Sequence, residues 1–235
     1  MPDHLHPRRV LLAGATGLVG GQILQALLAD RTVTDIHVLS RRELRGSDPR
    51  LQVHIVDFAA LPSLPGVDEV YLALGTTIRV AGSQQAFRAV DLEANLAVAR
   101  AAVAAGAARA GVVSAVGADA QSSVFYNRVK GELEDALKPL FPALVIAHPS
   151  LLLGDRDSLK QPVRWGERIA APVARLLSPL LPGRYVPVQA RAVALALVRT
   201  VPVAQGIKVL ASDELAEFGH EAGGSAKTGT YPNAR

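Results

Sequence analysis

The chain alternates short apolar runs with longer stretches whose apolar residues recur every three or four positions. A short, continuous apolar run is typical of a strand buried in a parallel sheet, and the longer stretches are typical of helices packed on it. Six runs predict strands, at residues 10–13, 35–40, 51–57, 69–74, 110–114 and 143–148. Helices are predicted from Gly17, from about Ser83 to Ala105 and from Ser123 to about Leu137. The alternation predicts an α/β fold, a Rossmann-type doubly wound parallel sheet with helices on both faces.

The pattern loosens after Pro149. Residues 154–188 are rich in Pro and Arg and are interpreted as a substrate-side insertion, followed by a helix from about Ala190 and a strand at 207–210. The stretch around Trp165 is interpreted as a core helix or substrate lid, with a contact to a membrane surface as the alternative. These features predict one domain over residues 1–211 and a disordered tail at 212–235, which has few apolar residues.

Composition narrows the classes of function. The 235 residues carry 25 Lys and Arg against 21 Asp and Glu, a net charge of +4, and no Cys. The absence of Cys excludes disulfides, thiolate metal sites and Cys nucleophiles, and the His residues lack the spacing of metal ligands. The scattered basic residues do not indicate nucleic-acid binding. No apolar stretch predicts membrane insertion, so we expect a cytoplasmic protein without a metal.

Three glycines lie between the first predicted strand and the first predicted helix. Gly14, Gly17 and Gly20 follow the pattern Gly-x-x-Gly-x-x-Gly. Glycines in this place permit a tight turn and let the backbone approach a pyrophosphate, whose charge the helix N-terminus stabilises. The alternative is a turn that serves only close packing. The position of the pattern favours binding of a dinucleotide.

The ends of the next strands carry further candidate contacts for a dinucleotide. Arg41 and Arg42 follow the second strand, where cations suit the 2′-phosphate of NADP and a carboxylate would suit NAD. NADP(H) is therefore the expected cofactor, with NAD(H) as the alternative because Glu43 is adjacent. Asp57 and Phe58 follow the third strand and could contact the adenine. Leu74 ends the fourth strand and Gly75 and Thr76 follow it, where a glycine could let the backbone pass the ribose.

Candidate catalytic groups follow the fifth strand. Tyr126 and Lys130 are four residues apart and share a helix face, while Ser114 precedes Tyr126 by twelve residues. A cation beside a phenol stabilises the phenolate, so Tyr126 could exchange a proton with a substrate oxygen that Ser114 orients. A surface Tyr-Lys pair is the alternative.

The segments GATGLVG, VLSRR, ALGTT, VVSAVGA, YNRVKGELE and HPSLLLGDR together resemble the atypical short-chain dehydrogenases/reductases, and most closely the subgroup of the Tat-interacting oxidoreductase and its bacterial relatives. The resemblance implies that Ser114, Tyr126 and Lys130 are a catalytic triad and that Lys130 also binds the nicotinamide ribose. The expected cofactor-binding residues are Gly14, Thr16, Gly17, Leu18, Val19, Gly20, Arg41, Arg42, Asp57, Phe58, Leu74, Gly75, Thr76, Tyr126, Lys130 and Pro149.

Two positions depart from the pattern of this family. His148 stands where relatives often have Arg, and the Asn that completes the catalytic tetrad of many short-chain enzymes has no clear counterpart, although Asn95 is a candidate. The expected function is reduction of a small carbonyl compound by NADPH with Tyr126 as general acid. The alternatives are an NADPH-binding regulator or scaffold with a protein partner, and an epimerase or dehydratase.

Overall fold

A single parallel sheet organises the chain. The structure is a computed structural model that describes residues 7–44, 46–154 and 185–224. The strands of the main sheet are β1 (Arg8–Ala13), β2 (Val33–Ser40), β3 (Leu51–Ile55), β4 (Glu69–Leu72), β5 (Arg109–Val113), β6 (Ala143–Ala147) and β9 (Gly206–Leu210), and a separate pair is formed by β7 (Leu152–Leu153) and β8 (Val188–Gln189). The order β3-β2-β1-β4-β5-β6-β9, with every pair parallel, confirms the predicted Rossmann-type sheet.

Helices cover both faces of this sheet. They are α1 (Leu18–Ala29), α2 (Ile78–Ala81), α3 (Gln84–Arg88), α4 (Asn95–Ala104), α5 (Phe125–Leu137), α6 (Ala190–Thr200) and α7 (Ser212–Gly224). One core lies under α1 and α6 and includes Leu27 and Leu197. The other lies under α4 and α5 and includes Val98 and Leu133. Because β1 has β2 on one side and β4 on the other, the order in which strands are added to the sheet reverses at β1. Ligands of such sheets lie at this point, outside the carboxyl ends of the strands.

The long helix predicted from Ser83 to Ala105 is interrupted. The Ser83 hydroxyl caps its first turn by accepting from the Ala86 N–H, and α3 and α4 are joined by a π-helical turn over Ala89–Ala94. A π turn holds an extra residue, so it rotates the helix relative to a regular 3.6-residue repeat. The expected buried stripe included Val90, but Asp91 is buried instead. This rotation turns a carboxylate toward the carboxyl edge of the sheet.

The prediction of a disordered tail from residue 212 is wrong for residues 212–224. These residues form α7, whose first turn buries Ser212 and Leu215. The Ser212 hydroxyl donates to the Val186 carbonyl at 2.8 Å, and acidic side chains in the first turn suit the positive end of the helix. The rest of the expected tail and most of the expected insertion, including the stretch around Trp165, lie outside the described residues.

No described helix has the length and apolar character needed to cross a membrane.

The turn from β1 to α1 depends on backbone contacts that only glycine permits. Gly14 has a left-handed φ of 96°, and a Cβ on it would lie 2.3 Å from the Ala73 carbonyl oxygen. A Cβ on Gly20 would lie 2.0 Å from the Gly14 carbonyl oxygen, whereas a Cβ on Gly21 would make an ordinary contact at 3.4 Å. The first turn of α1 is therefore pressed against the glycine turn.

This difference predicts opposite effects for two neighbouring substitutions. Gly20→Ala should lower the free energy of unfolding by about 1–3 kcal/mol because the turn must move to admit a methyl group. Gly21→Ala should leave it unchanged or raise it by up to about 1 kcal/mol, since alanine favours the helix. Urea denaturation of both variants measures the difference, and equal stability of the two would contradict the close approach.

Candidate functional site

The glycine turn forms the first part of the candidate site. Gly17 is the N-cap of α1 and no side chain caps this helix, so its first amide groups have no side-chain acceptor. Thr16 is exposed beside them, Leu18 is half-buried, and Val19 is buried in the core under α1. The backbone after β4 occupies the space that a Cβ on Gly14 would fill. The glycine turn therefore packs directly against the end of β4. Backbone amides with this arrangement fit the pyrophosphate of a dinucleotide.

Two arginines stand at the carboxyl end of β2. Ser40 ends the strand and is buried, and its hydroxyl accepts a hydrogen bond from the Arg42 N–H at 3.2 Å. Arg41 and Arg42 are both exposed, and within the described parts of the chain neither guanidinium forms an ion pair. Both cations are thus available to an anionic group that approaches this edge of the sheet.

The loops after β3 and β4 lie along the same edge. Asp57 is exposed and accepts from the Ala59 N–H at 2.9 Å, and the Phe58 ring packs on the core under α4 and α5. The half-buried Leu74 is part of the same packing. The Thr76 N–H donates to Asp91 at 2.8 Å, which fixes the exposed Gly75 between two anchored residues. The structure therefore places these expected cofactor contacts at one edge.

Tyr126 and Lys130 lie on one face of α5, as their spacing predicted, but Lys130 is not a surface residue. Its side chain is 5% exposed, and its Nζ lies 2.7 Å from Asp91 Oδ1. Burial alone would lower the pKa of Lys130, but the negative charge of Asp91, together with Tyr126 and Glu134, more than compensates and raises it. Lys130 is therefore a buried, charged ammonium group beside the phenol. The solvated Tyr-Lys pair considered as an alternative is wrong.

Asp91 joins three elements of the site. Its Oδ1 binds Lys130 on α5, its Oδ2 accepts from the Thr76 N–H after β4, and its own backbone belongs to the π-helical turn. The side chain is 1% exposed. The pattern of the sequence did not indicate Asp91, because a regular helix would have placed Val90 at the buried position.

Asn95, the candidate for the missing Asn of a catalytic tetrad, contacts backbone carbonyls at the end of β4 and in the π turn. Its Nδ2 donates to the backbone carbonyls of Leu74, Val90 and Asp91 at 3.1, 3.3 and 3.1 Å. Its Oδ1 is buried and has no hydrogen-bond partner among the described residues. The described contacts of Asn95 hold the π turn against the end of β4, whereas Asp91 is the residue that contacts Lys130.

The aromatic ring of Tyr126 is anchored by the turn before the π segment. Its centroid lies 5.6 Å from that of Phe87, which is fully buried. Such tilted ring pairs fix orientation as well as burying apolar area. Gly131 lets α5 approach the loop that follows β5, because a Cβ there would lie 2.1 Å from the Ala120 nitrogen. These contacts set the position of Tyr126 relative to the strand ends.

Ser114 follows β5 and is buried, as expected for a residue at the carboxyl edge. Its N–H donates to the Ala147 carbonyl at 2.9 Å, and the Val116 N–H donates to the Pro149 carbonyl at 3.1 Å, so the ladder between β5 and β6 continues past both strands. The Ser114 hydroxyl donates to Glu134. That carboxylate also lies 2.8 Å from His148 Nε2. Sequence spacing gave no indication of this contact.

The described residues contain no cluster of three or more His, Asp or Glu side chains that could hold a metal ion. His37 and His54 come together on neighbouring strands, with Nδ1 and Nε2 3.1 Å apart. The arrangement of the site instead suits an organic cofactor with phosphate groups, held by backbone amides and arginine, beside a phenol and a buried ammonium group.

Solved structures with this fold include proteins in complex with NAD. The chain is similar to an oxidoreductase of the short chain dehydrogenase/reductase family from Burkholderia thailandensis, with 19% identity, a TM-score of 0.64 and coverage of 96% of this chain and 99% of that one. It is also similar to MoeE5 in complex with UDP-glucose and NAD, with 16% identity, a TM-score of 0.64 and coverage of 92% and 82%. These likenesses show the fold, a Rossmann-type parallel sheet with helices on both faces.

No protein-family model matches the chain.

Curated relatives are more similar in sequence. The mitochondrial protein fmp52 of Emericella nidulans is 36% identical over 159 residues, which cover 63% of this chain and 68% of the relative. The mitochondrial protein FMP52 of Debaryomyces hansenii is 36% identical over 152 residues, which cover 62% and 67%. The expectation of a cytoplasmic protein is wrong on this comparison, because these relatives are named as mitochondrial. At this identity and coverage, the chain belongs to the FMP52 family.

Proposed function

We propose that the protein is an NADP(H)-dependent oxidoreductase of the atypical short-chain type that reduces a small carbonyl compound, with Tyr126 as general acid. The observation that carries this proposal is the buried Lys130 ammonium one helical turn from Tyr126, at the edge of the sheet where the glycine turn and both arginines also lie. A buried cation beside a phenol has a chemical use that packing does not explain. We also propose that the protein is related to the subgroup of the Tat-interacting oxidoreductase, which the sequence motifs resemble.

Each residue of the site has a defined task in the proposed reaction. The nicotinamide supplies the hydride when the cofactor is bound. Tyr126 donates the proton to the oxygen of the substrate, and Lys130 stabilises the phenolate that remains. Asp91 keeps Lys130 charged and in place. Ser114 orients the oxygen that receives the proton.

The residues proposed to bind the cofactor lie at the same carboxyl edge of the sheet. The amides of the glycine turn would bind the pyrophosphate, and Arg41 and Arg42 would bind the 2′-phosphate that distinguishes NADP from NAD. Asp57 and Phe58 would contact the adenine. Leu74, Gly75, Thr76 and Pro149 would line the path to the nicotinamide, whose ribose Lys130 would bind.

A sugar-nucleotide epimerase or dehydratase is the second candidate. Its support is the likeness in fold to MoeE5, which was solved with UDP-glucose and NAD. A regulator that binds NADPH without turnover is the third. A screen of NADPH oxidation against aldehydes, ketones and quinones separates these functions, because only a reductase consumes the cofactor in stoichiometric amounts. NADPH binding without oxidation across the screen would favour the other two.

The arginines at the end of β2 should determine the choice of cofactor. Wild type should bind NADPH at least tenfold more tightly than NADH, or about 1.4 kcal/mol, because two cations meet the 2′-phosphate. Arg41→Ala combined with Arg42→Ala should abolish this preference. A matched control removes the exposed Arg100 and Arg191, which lie on α4 and α6. Titration calorimetry measures the affinity of each of the three proteins for both cofactors, and equal binding of both cofactors by wild type would contradict the assignment.

Tyr126→Phe should separate chemistry from binding. The substitution removes the hydroxyl but keeps the ring that packs on Phe87, so turnover of a carbonyl substrate from the screen should fall about a hundredfold or more. NADPH affinity should stay within a factor of about three, because the glycine turn, both arginines and Lys130 are unchanged. Turnover as fast as that of wild type would make Tyr126 a structural residue.

Lys130→Met should change both cofactor binding and the ionisation of Tyr126. Without the ammonium group, NADPH should bind more weakly and Tyr126 should ionise at higher pH than in wild type. The matched control is Lys138→Met at the C-cap of the same helix, which removes an exposed Lys paired with Asp135 and should change neither quantity.

Carbon-13 NMR of labelled tyrosine side chains follows the ionisation, with the Tyr126 signal assigned by its loss in Tyr126→Phe. Burial raises the pKa of Tyr71 well above the ordinary value, so that residue ionises only at unusually high pH. An unshifted Tyr126 titration together with an unchanged NADPH isotherm would reject the catalytic role of Lys130.

A further inference from the structure

A second group of buried polar side chains lies where β5 and β6 end. This group, the Ser-Glu-His network, consists of Ser114 after β5, Glu134 on α5 and His148 after β6. Glu134 lies one turn beyond Lys130, and its side chain is 8% exposed. The same carboxylate oxygen, Oε1, accepts from the Ser114 hydroxyl and lies 2.8 Å from His148 Nε2. Two residues that follow different strands therefore share one acceptor atom.

The roles of donor and acceptor follow from the chemistry of the three groups. An ionised carboxylate only accepts, so the proton of the imidazole lies on Nε2 and the single hydrogen of the Ser114 hydroxyl is directed to Glu134. In this arrangement Ser114 offers only lone pairs to a ligand. It can accept from a substrate hydroxyl, but it cannot donate to a carbonyl oxygen, which itself only accepts.

One added proton changes this arrangement. While His148 is neutral, the buried charges are the carboxylates of Asp91 and Glu134 and the ammonium of Lys130, so the network carries an uncompensated negative charge. A proton taken up by Glu134 or His148 compensates that charge, whichever of the two carries it. The carboxyl group then competes less strongly for the Ser114 hydrogen, which becomes free to donate to a ligand.

Other charged groups near this edge are few among the described residues. Lys130 and Lys138 lie one turn before and one turn after Glu134, and both positive charges favour the ionised carboxylate. Asp213 and Glu214 at the start of α7 are exposed, and Glu214 accepts from the Ala211 N–H at 2.8 Å. On the side of β9, the contact is through the backbone, from the His148 N–H to the Leu210 carbonyl. The Glu134–His148 pair is thus the titratable element beside Ser114.

We propose that Glu134 and His148 are positioning residues that switch Ser114 between accepting from an alcohol and donating to a carbonyl, according to whether the pair holds an added proton. This inference rests on the proposed oxidoreductase function and refines it. Reduction of a carbonyl by NADPH consumes one proton overall, so acidification favours the reaction and the donating state of Ser114 together.

The network is not arranged for hydrolysis. In a serine hydrolase, the histidine acts as the base and must contact the hydroxyl of the nucleophilic serine. Here Ser114 and His148 both contact Glu134. The carboxylate stands between them.

The test is a pH titration of His148 in the full chain by NMR of labelled histidine, without cofactor or substrate. The signal is assigned by its loss in His148→Gln. Ser114→Ala removes a donor that stabilises the ionised carboxylate, so the protonation constant of His148 should rise at least about threefold. Glu134→Gln removes the charge that favours the protonated imidazole, so the constant should fall at least about threefold. Opposite shifts are the signature of coupling through Glu134.

Two further variants serve as controls. Ser114→Thr keeps a hydroxyl group and should restore the wild-type titration. Ser150→Ala removes a nearby hydroxyl that donates to the Val186 carbonyl and not to Glu134, so it should leave the titration unchanged. Thermal unfolding of each variant verifies that it is folded.

The proposal is overturned if Ser114→Ala leaves the His148 titration unchanged, or if both main variants shift it in the same direction. The proposed oxidoreductase function fails by a different result, the absence of NADPH oxidation or binding. Because the titration requires neither cofactor nor substrate, the two failures are distinguishable.

Discussion

The buried ion pair between Lys130 and Asp91 constrains the rest of the site. An ammonium group withdrawn from water is unfavourable unless an opposite charge and hydrogen bonds compensate it, and Asp91 Oδ1 does so at 2.7 Å. That carboxylate must reach the helix face occupied by Tyr126 and Lys130. The π-helical turn over Ala89–Ala94 provides the necessary rotation, and Asn95 holds the turn by donating to three backbone carbonyls. The pair thus links α5, the π turn and the loop after β4.

The architecture could be predicted from the sequence because its signals are local. Continuous apolar runs gave the first six strands, and the glycines between β1 and α1 gave the turn that faces the cofactor edge. The positions of Ser114, Tyr126 and Lys130 follow from the same logic, since residues after parallel strands share one edge. The sequence therefore predicted which residues lie at the carboxyl edge of the sheet.

The partners of those residues could not be predicted. Periodicity assumes a regular helix, and the π turn moves the buried stripe by one residue, which replaces Val90 with Asp91. Glu134 is 20 residues from Ser114 and 14 from His148, so no local pattern connects them. The helix α7 was missed for another reason, because composition does not show that its first turn can bury Leu215. Each miss concerns a contact made by tertiary packing.

The fold alone does not establish the reaction, because short-chain folds support several chemistries. The account depends on whether Lys130 and Asp91 act as one buried unit that organises the site. A double-mutant cycle with Lys130→Met and Asp91→Asn, measured by urea denaturation, tests this most directly. Each single substitution should lower the free energy of unfolding by about 3–5 kcal/mol, because it leaves one charge buried without its partner. The double variant should lose at least about 2 kcal/mol less than the sum of the two. Additive losses would contradict the account.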